Sequence, residues 1–264
     1  MEKQLHEGHR ARLRQFAKQD EELTSFSEFQ VLEYFLSFII PRKDTNPIAH
    51  ALIEAFGSLY GVFQATEEEL YSIKCMTQNA ACFIADFLPI SRKIQCSCFA
   101  SQKYVSRLSD AVNVLRPYFY GRNSEFIYCL ALDLNDRLLQ ICKISDGEAD
   151  SVVINNNKIL ALVTRTKAKK IILAHNHPAR NIKPSDSDLQ ATRMLNVLLA
   201  GVNARLSDHI IFSGDEYFSF YESDLLACFS DDNSHYANEQ RRKKRSEGIY
   251  MEDEKPSEET LGEE

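Results

Sequence analysis

Two histidines one residue apart, His175 and His177, close the apolar run Ile171-Ile172-Leu173-Ala174, and Ser185-Asp186-Ser187-Asp188 follows a short loop later. Imidazole nitrogens and carboxylate oxygens are ligands that divalent metals take. A strand sends alternate side chains to one face, so the two imidazoles converge wherever extended backbone persists through Asn176. Pro178 has no N–H to donate and ends the ladder just beyond them. The pattern predicts a metal clasp at a strand end.

Ser185 and Asp188 admit two compatible roles. Ser-x-x-Asp ahead of an apolar helical run is a capping box, with the acid favoured by the helix dipole. A carboxylate in a first helical turn can also face a site built over a strand end. Two histidines and an aspartate supply three protein ligands and leave a position for water, the arrangement of catalytic rather than structural zinc. Such a cation activates the water and polarises a carbonyl. The chemistry also needs a proton acceptor that is not itself a ligand. Glu125, which opens the strand-like run Phe126 to Leu132, is the upstream candidate.

Elements to position these residues are legible on both sides. Residues 1–90 read as a small all-helical domain. Pro41 stops one helix, Pro47 and Gly57 bracket another, and Thr66 with Glu69 forms a capping box. Residues 91–102 read as a linker, with a connector helix from about Gln102 to Tyr118. From 103 to 229, strand-like runs alternate with helical ones, which predicts an α/β (α+β) domain with a mixed sheet flanked by helices. Leu134-Asn135-Asp136 marks a hairpin between the first two strands.

The tail from 230 to 264 is polar and blocky in charge, and reads as disordered. Its eleven acids against six bases carry −5 of the chain's net −7, so the body is nearly neutral. That is not the footprint of a strong general nucleic-acid binder. The run Arg241 to Arg245 is expected to be solvated. Seven scattered cysteines, odd in number, argue against a disulfide framework, and Cys96-Ser-Cys98 is too tight for a zinc hook. No apolar run approaches the ~20 residues of a membrane span, and the charged N-terminus lacks a secretion signal. The expected compartment is the cytoplasm.

His175-x-His177, seven residues, then Ser185-x-x-Asp188, with Glu125 at the head of an upstream strand, resembles the JAMM (MPN-plus) metalloprotease motif. The stretches 174–178, 184–195 and 206–214, with the helical stretches 8–16 and 32–63, are similar to the RadC family in particular. The likeness covers about residues 7 to 215. It implies a JAMM/MPN-type, cytidine deaminase-like fold, with one Zn2+ per chain held by His175, His177 and Asp188. By the same likeness Glu125 is the general base, and Ser185 donates to the developing oxyanion. Asp186 is a rival ligand that misses the spacing by two. His209 is read as a packed or outer histidine rather than a fourth ligand.

The sequence departs from the family at two places. Ala179-Arg180 replace Ser-Gly after the histidines. The helix-hairpin-helix turn reads Cys75-Met76-Thr77, with none of the glycines that let backbone N–H groups approach phosphate.

The expected function is therefore a zinc metallohydrolase cleaving a peptide or isopeptide bond in a peptide or protein substrate. The alternative is a DNA-repair-associated nucleic-acid-binding module with a structural or idle metal site, for which the near-neutral body predicts weak binding. A zinc deaminase fits less well, because it wants His-x-Glu and a downstream Pro-Cys-x-x-Cys, and neither is present. An HNH nuclease is excluded because its three residues span a longer unit. The oligomeric state is left open.

Overall fold

The computed structural model describes residues 2–20, 22–41, 43–99, 101–145, 154–178 and 181–229; the Ala179-Arg180 pair and the tail from 230 lie outside the described residues. Six helices come first: α1 (Glu2–Gln19), α2 (Glu28–Ile39), α3 (Asn46–Phe56), α4 (Leu59–Gln64), α5 (Glu67–Tyr71) and α6 (Gln78–Cys98). Their ends follow local chemistry. α2 stops ahead of Pro41, α3 opens with Pro47 in its first turn, and Gly57 closes α3 at φ +78°, a left-handed conformation that glycine adopts without penalty. Thr66 and Glu69 exchange the two hydrogen bonds of a capping box. Leu32, Leu36, Leu52, Val62, Leu70 and Ile84 form the centre of this domain's core.

Two sequence expectations are corrected here. α6 runs through to Cys98, so residues 91–98 of the anticipated linker are helical. The next helix, α7 (Leu108–Phe119), starts later than Gln102 because residues 103–105 are extended. Val105 N–H donates to the Asp136 carbonyl, and Leu138 N–H donates to Lys103, which ties this segment to the hairpin tip. The Asp110 carboxylate then accepts from the Ser106 and Arg107 N–H groups and sets the helix start.

The second domain is a five-stranded mixed sheet in the order β2-β1-β3-β4-β5. β1 (Ile127–Leu132) and β2 (Leu138–Ser145) form the expected hairpin, and β1 also pairs antiparallel with β3 (Lys170–Asn176). β3 runs parallel to β4 (Arg205–Ser213), and β5 (Glu216–Ser219) returns antiparallel at the edge. α8 (Asn156–Thr166) and α9 (Asp186–Gly201) cover one face of the sheet, where Ile127, Cys129, Ile171, Leu173 and Ile211 point. α7 covers the other, where Tyr128, Leu130, Ile172, Ala174 and Phe212 point. Strand alternation thus assigns each residue a face. Both faces are buried, which is why β1 and β3 read as nearly continuous apolar runs.

The domains meet at Gly121. Its carbonyl accepts from Gln64 Nε2 at 3.0 Å, and Arg92 Nη1 donates to the adjacent Tyr120 carbonyl at 3.0 Å. Among the described residues no helix is long and apolar enough to cross a membrane.

Candidate metal centre

His175 is the last paired residue of β3 against β1, opposite Ile127. It shares the face of Ile171 and Leu173, the face covered by α9. The ladder to β4 carries on one step further, because His177 N–H donates to the Phe212 carbonyl at 2.8 Å. Extended geometry therefore persists through Asn176, and both imidazoles turn to the α9 side. Ser185 caps α9: its hydroxyl accepts from Asp188 N–H, while its own N–H and O–H donate to Asp188 Oδ2 at 2.8 and 2.6 Å. Capping is what aims Asp188 at the strand end. His175 Nε2 lies 3.3 Å from Asp188 Oδ1, and His177 Nε2 lies 3.4 Å from Asp188 Oδ2. One ligand atom from each of the three residues falls within 4.8 Å of the others.

Hydrogen bonds behind these rings determine where their protons sit. Thr192 Oγ1 donates to the Asp188 carbonyl, so it can only accept from His209 Nδ1, 2.7 Å away. With Nδ1–H committed, the neutral His209 ring presents a lone pair at Nε2. His175 Nδ1, at 2.8 Å, must then be the donor to it. On the exposed side, His177 Nδ1 donates to the Asn181 carbonyl at 2.6 Å. In the neutral rings both Nε2 atoms carry a lone pair, and they face each other 2.9 Å apart beside a carboxylate. Two acceptors this close repel unless positive charge lies between them, either a proton on His177 Nε2 or a bound metal ion. Two imidazoles and one carboxylate are a donor set compatible with a JAMM-like metal site.

The electrostatics agree. Burial pushes His175 down to about 4, against the attraction of Asp188, so a proton competes poorly for its Nε2. Burial likewise keeps His209 neutral. Hydrogen bonding to Asp188 favours the protonated ring and raises His177, with the charge of Glu125 adding to the effect, so a metal ion would have to displace that proton from Nε2. Burial alone would raise Asp188, but hydrogen bonding from His177, the charge at His175 and the bonds from Ser185 outweigh it and keep the carboxylate ionised.

Glu125 lies two residues before β1. Continuing the β1–β3 register beyond Ile127 and His175 brings Glu125 level with His177, on the same face by alternation. The sequence singles out the two histidines, Ser185, Asp188 and Glu125, and the structure gathers them at one end of one sheet face. Asp186 is not in the cluster, and His209 is buried behind His175 rather than beside the third ligand.

Three residues of the arrangement escape sequence reasoning. Thr192 fixes the ring protons as described, and Asn181 orients His177. Asn176 clamps the segment carrying Glu125: its Oδ1 accepts from Phe126 N–H and its Nδ2 donates to the Ser124 carbonyl, both at 2.9 Å. Asn176 could have been noticed only as a polar residue inside a buried strand. A cavity of about 670 Å3 opens near the starts of β3 and β4, at the opposite end of the sheet, and takes no part in this cluster.

A mixed sheet that brings two histidines and an aspartate together where its parallel pair ends is a JAB-type domain, related to the JAMM/MPN fold. The RadC-like JAB domain family matches residues 105–225. A UPF0758 protein of Fusobacterium nucleatum subsp. nucleatum is 31% identical over 233 residues, which cover 86% of this chain and 100% of that protein. A UPF0758 protein of Coprothermobacter proteolyticus is 28% identical over 189 residues, 70% of this chain and 80% of its own length. One from Burkholderia thailandensis is 25% identical over 199 residues, 75% and 76% of the two chains. The chain belongs to the RadC family.

Proposed function

We propose that the protein is a metallohydrolase that holds one zinc ion on His175, His177 and Asp188 and cleaves an amide, as a peptide or isopeptide bond, in a protein substrate. The observation that supports this most directly is the convergence of the two Nε2 atoms, 2.9 Å apart, beside the Asp188 carboxylate. Zinc bound there supplies a Lewis acid that lowers the pKa of a water and polarises the scissile carbonyl.

The chain's own residues do the rest. Glu125, level with His177 and outside the ligand set, takes the proton of the attacking water and delivers it to the leaving nitrogen. The Ser185 hydroxyl swings from Asp188 Oδ2 to the carbonyl oxygen as negative charge develops there. Asp188 tolerates the loss because Ser185 N–H continues to hold the same carboxylate oxygen at 2.8 Å. Seven cysteines without a disulfide suit a reducing compartment, and we place the protein in the cytoplasm on that ground.

Metal analysis and hydrolysis assays test the proposal together. Protein purified without chelators is expected to carry one zinc per chain, and His175→Ala to carry none. Glu125→Gln should keep the zinc while losing turnover of peptide or isopeptide substrates by about a hundredfold or more. A wild type that neither contains nor takes up zinc, or a Glu125→Gln variant of undiminished activity, overturns it.

A further inference from the structure

We propose that α6 is a homodimerisation helix, whose Phe83-Phe87-Ile90-Ile94 stripe packs antiparallel against the same stripe of a second copy of this chain. These four side chains are 47%, 39%, 51% and 60% exposed. Their spacing of four, three and four residues is the alternation by which one helix seats against another, and at 1.5 Å per residue it spans about 16 Å. Single exposed apolar residues are ordinary, whereas a contiguous stripe on one helix marks an interaction surface.

The other sides of α6 are already committed. Ala80, Ala81 and Ile84 are buried in the helical core, and Leu88 is buried beside them. Leu88 also meets Gly121, and Arg92 bonds the Tyr120 carbonyl, so that side carries the catalytic domain. At 100° per residue the stripe points away from the Leu88–Arg92 side and borders the core side, with Ile90 and Ile94 farthest from both. At its N-terminal half it joins a nest of rings, because Phe35 contacts both Phe83 and Phe87, and Phe63 contacts Phe87.

Charge selects the occupant and its direction. Asp86 and Lys93, both exposed, lie on the same flank of the stripe. In an antiparallel pair with its two-fold axis between Leu88 and Pro89, like flanks face each other. Asp86 of one copy then stands within about 3 Å axially of Lys93 of the other, and the two-fold repeats the pair. The same register sets Phe83 opposite Ile94 and Phe87 opposite Ile90, a large side chain against a smaller one at every level. A parallel pair would stack phenylalanine on phenylalanine and leave both charges facing the flank of Ile84, Ser91 and Gln95, which has none. The apolar stripe supplies the affinity, and the charge pairs, at a solvated rim, set the direction.

Sedimentation equilibrium of the full chain tests this. The wild type is expected to dimerise, and Ile90→Glu with Ile94→Glu to raise the dimer dissociation constant by about a hundredfold or more. Both sites are solvent-exposed in the single chain, so the variant should keep its circular dichroism spectrum and zinc content, while its melting temperature loses the dependence on protein concentration that dimerisation gives the wild type. Asp86→Lys and Lys93→Asp should each weaken the dimer severalfold, and the double swap should restore it. A wild type that stays monomeric at every concentration overturns the proposal, as does a dimer indifferent to the two glutamates. Failure of the double swap to recover affinity overturns the antiparallel register.

Discussion

Asn176 shows how much a single uncharged side chain can decide. It sits between the two histidines, yet its amide turns sideways to hold residues 124 and 126 and so fixes the backbone of Glu125. Asn176→Ala removes both bonds and leaves His175, His177 and Asp188 in place. We expect zinc content to be unchanged while turnover falls by one to two orders of magnitude, since about an ångström of misplacement costs that much. A variant that loses zinc as readily as His175→Ala would assign Asn176 to the metal instead. At this scale the sequence exposes only partnerships within a few residues of each other. The Ser185–Asp188 bond can be read from a four-residue pattern, whereas Asn176 reaches partners about fifty residues away and Thr192 reaches His209 across the rest of α9 and a turn. No periodicity encodes such bonds.

Among the elements, α9 links the cluster to the core. Leu195 and Leu199 anchor it in the sheet face below, Asp188 projects from its first turn, and Thr192 lies one turn on against β4. Thr192→Val keeps the volume but removes the acceptor for His209 Nδ1–H. The His209 ring then gains by carrying its proton on Nε2, which forces His175 to carry its own on the atom that should bind metal. We expect zinc affinity to drop about 10- to 100-fold in chelator competition, with the fold retained at a cost of about 1–3 kcal/mol.

Elements themselves were largely legible. The strands and α9 follow from apolar runs and caps, whereas the linker did not, because α6 remains helical past Pro89 and the extended segment 103–105 is held only by the distant hairpin. In the glycine-free turn before α6, Cys75 adopts φ +69°, a left-handed conformation that glycine takes without penalty.

For the whole molecule, the joint between domains depends on Gly121. It adopts φ +61°, and a Cβ built there would lie 3.0 Å from Leu88 Cδ1 on α6. Gly121→Ala should therefore destabilise the chain by about 1–3 kcal/mol in urea unfolding. The effect should be a loss of coupling between helical domain and sheet rather than of zinc, so a variant of wild-type stability would show that Gly121 is not a pivot.

The cap of α9 has a wider consequence. The carboxylate that closes the helix also completes the cluster with His175 and His177, so a cation bound there would be held in part by a helix end. Occupancy and folding are therefore thermodynamically linked: whatever binds there more tightly than to the unfolded chain raises the melting temperature in proportion to the logarithm of its concentration. A cargo-blind thermal titration can thus rank candidate ions before any substrate is known.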